Sequence, residues 1–221
     1  MRIKDSVLRS ISCNADLSCI VCAFAPHGEG KGGYGVFTTH DFSRLAWRVF
    51  DTGGFGLAEL FDSTNILLLV GGPISPPGFS ERSAAFYDDA TSRILWDVKL
   101  PSPALAVHCK RDLLVAVLDS KIVLYRIGPK FSNVSFLASI DTAANPRGTC
   151  ALSSDPPSAV GSGLAVIAFP ACKEGTVGLA KVTTGGSVGG GQNVKHVSID
   201  PAHQKPISCL ALSRCPHPGG I

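Results

Sequence analysis

Apolar residues in this chain come in short, strand-length runs separated by gaps of polar residues, glycine or proline, a pattern that predicts an almost wholly β chain with helix confined to loops. Runs over 7–13 and 18–24 flank Asn14-Ala15-Asp16, residues that favour a tight turn, so the chain is expected to open with a hairpin. After a glycine-rich loop at 26–33, runs over 34–38 and 45–51 complete a first four-stranded unit. A second unit uses 57–61, 66–70, 84–87 and 94–100, with a loop at 73–80 too rich in proline to continue a sheet. The third is the clearest, its runs at 105–108, 113–118, 122–126 and 136–140 separated by turn-sized polar gaps. A fourth spans 148–199 around a central run at 164–169, with the glycine-rich stretch 185–191 as a flexible linker. A run at 207–212 reads as the first strand of a fifth.

These units are related. The stretch 197–213, VSIDPAHQKPISCLALS, has a near copy at 138–153, ASIDTAANPRGTCALS, and weaker copies occur at 48–61 and 96–109. Each is an apolar strand, a polar or proline-containing turn and a second apolar strand. A unit this small cannot bury its own apolar face, so repetition at roughly 40 to 60 residues implies stacked small sheets, as in a β-propeller of WD-repeat type. The expected fold is all-β, a single partial propeller domain over 1–221 with blades near 1–53, 54–101, 102–142 and 143–200 and the start of a fifth at 201–221. Read this way, the chain ends in mid-blade, as a fragment or truncated product with an unclosed ring.

Composition narrows the function classes. Hydrophobic residues make up 45% and charged residues 17%, as in a globular chain. The net charge of +3, with 20 dispersed Lys and Arg, gives no footprint for nucleic acid. No apolar run approaches the ~18 to 20 residues of a membrane helix, and the first ten residues lack the apolar core of a signal peptide. The expected location is therefore the cytoplasm or its membrane surfaces, where the eight cysteines are free thiols and the sequon at Asn133 is unmodified. Gly30 to Gly35 match Gly-x-Gly-x-x-Gly, but no helix follows to present its N-terminus to a phosphate. Cys19 and Cys22 sit inside an apolar run as buried thiols without a second zinc-ligand pair, and Cys209, Cys215 and His217 are no better spaced. Asp88, Asp89 and Asp97 fall at strand ends, where such blades place aspartate for turn hydrogen bonds. Neither a catalytic motif nor a cofactor or metal site is found, so enzyme is the weakest class.

The ordered motifs SPALAVHCKRDLLVAVLDSKIVLYRI (102–127), NPRGTCALS (145–153), AFPACKEGTVGLAKV (168–182) and PAHQKPISCLALS (201–213) resemble the PROPPIN or WIPI family, seven-bladed WD-repeat propellers that bind phosphoinositides and act in autophagy. The segment 69–90 is similar to the branch with a Val-Gly-Gly loop. The resemblance covers nearly the whole chain, with departures at Tyr87, Thr149 and Ala171, where the family usually has Trp, Leu and Gly. It implies partners in phosphatidylinositol 3-phosphate and 3,5-bisphosphate, a membrane surface of autophagosomal precursors, endosomes or vacuole, and the autophagy lipid-transfer protein. By matching position, His203 is the lipid-binding candidate, against the alternative of a turn histidine. Asn14 and Asp16 are the partner-binding candidates, against the alternative of ordinary turn residues. The family's Arg-Arg lipid motif would fall beyond Ile221, and no adjacent arginine pair occurs in the chain. Two readings follow: a phosphoinositide-effector adaptor in autophagy, or a protein-only WD-repeat scaffold.

Overall fold

The computed structural model describes residues 6–153, 164–184, 194–200 and 202–212. The first sheet contains β1 (Ser6–Cys13), β2 (Cys19–Pro26), β3 (Gly32–Thr38) and β4 (Arg44–Phe50). The second contains β5 (Phe55–Leu60), β6 (Ile66–Gly71), β7 (Ser83–Asp88) and β8 (Arg93–Lys99). A third is built from β9 (Ala106–Lys110), β10 (Leu113–Val117), β11 (Lys121–Ile127) and β12 (Val134–Asp141). The fourth has β13 (Ala151–Leu152), β14 (Leu164–Pro170), β15 (Val177–Thr183) and β16 (Val194–Ile199). Each is an antiparallel meander in chain order, and the helical content of the described residues is one 3-10 turn, Pro129–Phe131.

Buried strands read as unbroken apolar runs because each face packs on a different neighbour. Along β6, Leu67 and Leu69 join Val21, Tyr34 and Phe55 between the first two sheets. Their alternates, Leu68 and Val70, join Phe86, Leu114 and Ala116 between the second and third. Along β10 the rule repeats: Leu113 and Val115 turn the other way, onto Ile167, Phe169 and Val182 of the fourth sheet. The core is thus three layers sandwiched by four sheets, with each fully buried leucine contributing about 1.5 to 3 kcal/mol.

The first strands of successive sheets adjoin. β5 packs on β1 and β2, and β9 packs on β5. Where β1 meets β5, serine hydroxyls replace a backbone ladder: Ser12 Oγ donates to the Ala58 carbonyl at 3.0 Å, and Ala58 N–H donates to Ser10 Oγ at 3.2 Å. The connector between the first two sheets needs glycine. Gly54 accepts from Gly72 N–H at 2.9 Å, and a Cβ at Gly54 would lie 2.4 Å from the Phe24 carbonyl oxygen.

A polar latch crosses the same layer. Buried Tyr34 donates its hydroxyl to Asp89 at 2.6 Å, and Arg48 grips both carboxylate oxygens of Asp89 at 2.7 and 3.0 Å. This corrects the expectation that Asp88 and Asp89 share a turn role. Asp88 does cap its turn, accepting from Ala90 N–H at 3.0 Å and Thr91 Oγ1 at 2.7 Å, whereas Asp89 ties sheet to sheet. Asp97 lies within β8 and pairs with Lys99.

Residues 207–212 carry no strand, unlike the run expected there: β16 ends at Ile199, and the repeat's second apolar half finds no neighbouring strand among the described residues. The glycine-rich stretch 185–191 and the pair Cys215 and His217 lie outside the described residues.

Candidate partner-binding surface

The hairpin between β1 and β2 is set by Asn14. Its Oδ1 accepts from Cys19 N–H at 2.9 Å, its Nδ2 donates to Ser18 Oγ at 3.1 Å, and the side chain is buried at 2% exposure. Asn14 therefore positions the turn from beneath. Asp16 sits on top, exposed, accepting from Ser18 N–H at 2.9 Å and from Ser63 Oγ at 2.7 Å in the next sheet. The hydrogen bonds from Ser18 and Ser63 hold its carboxyl at about 2, so the charge is fixed at any physiological pH. The two residues named from the sequence thus share one turn but differ in kind: one is structural, the other is presented.

A groove of about 310 Å³ runs beside this turn between the first and second sheets, with an apolar floor of Val36, Leu60 and Leu67 and a rim carrying Asp62, Asn65 and Asp89. At the next interval between sheets, a groove of about 590 Å³ is lined by Phe61, Arg111 and Phe131. The turns β1–β2, β3–β4, β5–β6 and β9–β10 all lie at the end of the sheets that these grooves open onto, because each sheet is an up-and-down meander.

The turn from β3 to β4 was not legible as part of this surface from residue type alone, yet it repeats the first. Asp41 accepts from Ser43 N–H at 3.0 Å and from Thr38 Oγ1, and these hydrogen bonds, Thr38's first, hold its carboxyl at about 2. Thr39 joins the two turns, donating its hydroxyl to the Leu17 carbonyl at 2.7 Å and its N–H to the Ser18 carbonyl at 2.9 Å. The signal available in the sequence was the pair Asp16-Leu17-Ser18 and Asp41-Phe42-Ser43.

His203 lies far along the chain from these residues, in the segment after β16. It is exposed, its backbone N–H donates to the Gly175 carbonyl at 2.9 Å, and its Nδ1 accepts from Lys205 N–H at 3.2 Å. Cys19 and Cys22 are half-buried rather than buried, and three positions apart on a strand they point to opposite faces, so they cannot share a metal. The seven described cysteines form no disulfide, and burial pushes the Cys150 thiol up to about 12. One charged pair was missed altogether: His108 Nδ1 lies 3.4 Å from Glu59, which also accepts from Cys109 N–H at 2.8 Å. Burial opposes charge on His108, but the Glu59 carboxylate outweighs it and raises the imidazole above its ordinary value.

Four antiparallel four-stranded meanders, stacked face to face through three apolar layers, define a β-propeller of WD-repeat type. No family profile matches the chain. It is 27% identical over 209 residues to SVP1-like protein 2 of Schizosaccharomyces pombe, covering 95% of this chain and 50% of that protein. Autophagy-related protein 18 of Dictyostelium discoideum is 27% identical over 206 residues, covering 92% and 47%. The chain spans about half the length of these relatives. Among solved structures, Kluyveromyces lactis Hsv2 superposes with a TM-score of 0.66 at 16% identity, covering 95% of this chain and 54% of that one. An Atg21 bound to a coiled coil of Atg16 superposes with 0.61 at 16% identity, covering 91% and 58%. The chain is thus similar over nearly its whole length to SVP1-like and autophagy-related 18 proteins and shares the fold of the Hsv2 and Atg21 propellers, in line with the PROPPIN resemblance of its motifs.

Proposed function

We propose that the protein is a WD-repeat adaptor of autophagy that docks a protein partner on the turn end of its first sheets, with Asp16 as a contact residue and Asn14 holding the turn. The observation that carries this reading is the exposed carboxylate of Asp16, held in place by Ser18 and Ser63 beside an apolar groove, in a chain similar over nearly its whole length to an autophagy-related protein. A fixed charge next to an apolar slot suits a partner segment with a cation beside an apolar anchor. The autophagy lipid-transfer protein is the partner the family resemblance suggests. No catalytic step is assigned.

The membrane role comes from the family resemblance. Phosphatidylinositol 3-phosphate and 3,5-bisphosphate are the lipids the family implies, and His203 is the residue here at the matching position. Two guanidiniums engage phosphate in a bidentate geometry that a single imidazole cannot supply. The second reading is a protein-only WD-repeat scaffold, in which the blade turns bind protein and His203 serves only its own turn. Flotation with liposomes containing phosphatidylinositol 3-phosphate, run beside co-purification with the lipid-transfer protein, separates the two. The adaptor reading requires partner capture that Asp16→Ala abolishes. Capture unaffected by that change refutes it.

A further inference from the structure

Several turns of this protein place a non-glycine residue in the left-handed backbone region, and in three hairpins it is polar: Asp62, Ser92 and Arg111 have φ of 50°, 56° and 45°. The first sheet differs. Its two turns at the groove end place Leu17 (φ 63°) and Phe42 (φ 55°) there, and both point into water at 56% and 70% exposure. Left-handed backbone disfavours bulky side chains, which glycine or asparagine would relieve, and exposure returns no burial energy. Leu17 and Phe42 therefore carry a conformational cost with no return within the chain. Leu45, 59% exposed, continues the patch into the wall of the groove between the first two sheets.

Each of the two apolar tips follows an aspartate whose charge is pinned by the next serine, Asp16 by Ser18 and Asp41 by Ser43. Both carboxyls are held at about 2 by hydroxyl and backbone donors. Arg44 and His40 also lie on this corner, and neither forms an ion pair among the described residues.

We infer that the two Asp-apolar-Ser turns form one docking site for a linear protein segment carrying two basic residues interleaved with bulky apolar ones, the apolar side chains seating on Leu17, Phe42 and Leu45 and the cations on Asp16 and Asp41. This rests on the adaptor reading for Asp16 and extends it to a second turn that reading does not use. Opposite charge selects the segment and orients it, and the apolar tips supply the desolvated centre.

The test selects random dodecapeptides displayed on phage against the full 221-residue chain, then measures the enriched peptides by fluorescence anisotropy on variants. Enriched sequences are expected to combine Lys or Arg with Leu, Phe or Trp. Leu17→Gly with Phe42→Gly relieves the backbone, so the fold is kept or stabilised, while affinity should fall at least about tenfold. Asp16→Asn with Asp41→Asn should weaken binding by a similar factor and remove its salt dependence. Enrichment of acidic peptides, or binding indifferent to the double glycine variant, overturns the inference. So does binding of vesicles with 30% phosphatidylserine that depends on Leu17 and Phe42, since the surface would then be a membrane anchor. Capture of the lipid-transfer protein that Asp16→Ala abolishes but Phe42→Gly leaves intact overturns this inference and spares the adaptor reading. Peptide binding that needs Phe42, with no autophagy partner captured, supports this inference while the adaptor reading falls.

Discussion

Replacing Asp89 by alanine removes the acceptor of a fully buried tyrosine and the partner of a half-exposed arginine in one step. The first loss leaves the Tyr34 hydroxyl without its acceptor, at about 1 to 3 kcal/mol. Discounted for solvent screening of Arg48, the second adds about 0.5 kcal/mol. Together they predict a loss of about 1.5 to 3.5 kcal/mol, or a fall in Tm of about 3 to 14 °C for a chain of this size. Asp89→Asn keeps an oxygen for Tyr34 and should cost about half as much. The carboxyl of Asp89 is held below its ordinary value, first by the Arg48 hydrogen bonds. A depressed pKa contributes stability above the unfolded value near 4, lost as pH falls through the folded value. Urea unfolding followed by tryptophan fluorescence at pH 7 and pH 3 measures both effects, and the gap between wild type and Asp89→Ala should narrow at the lower pH. A loss below about 0.5 kcal/mol at pH 7 would refute the view that this latch joins the first two sheets.

Gly54→Ala drives a methyl group into the Phe24 carbonyl and should cost more than about 3 kcal/mol, read as lost soluble yield or a lower Tm, whereas Gly28→Ala, where a Cβ meets nothing within 4 Å, should be silent. The raised His108 contributes stability fully present below the unfolded pKa near 6.5 and lost as pH rises through the folded value, so Glu59→Gln should destabilise by on the order of 1 kcal/mol at pH 6 and by less at pH 9. Liposomes with phosphatidylinositol 3-phosphate should float little of the 221-residue chain at physiological salt, and strong headgroup-selective flotation would place a lipid site on residues other than His203.

The sheets were legible because both faces of β6 and β10 are covered, which forces continuous apolar runs between turn residues, and because the first sheet's hairpin announces itself through Asn14 and Asp16. Their division of labour was not legible. Either polar side chain can cap such a turn, and only the fold shows that Asn14 points inward to Cys19 and Asp16 outward to Ser63. Asp89 misled for a related reason: its partners Tyr34 and Arg48 lie 55 and 41 residues earlier, on another sheet, and local sequence carries no trace of them. The run at 207–212 has the apolar pattern of a strand, but pattern alone does not supply a neighbour to pair with.

Binding of the full chain to the purified autophagy lipid-transfer protein, measured for wild type, Asp16→Ala and His203→Ala, tests the docking surface most directly. Wild type should bind, Asp16→Ala should lose at least about tenfold in affinity, and His203→Ala should match wild type. Equal binding by Asp16→Ala, or loss confined to His203→Ala, would contradict the assignment of partner docking to the turn end of the first sheets.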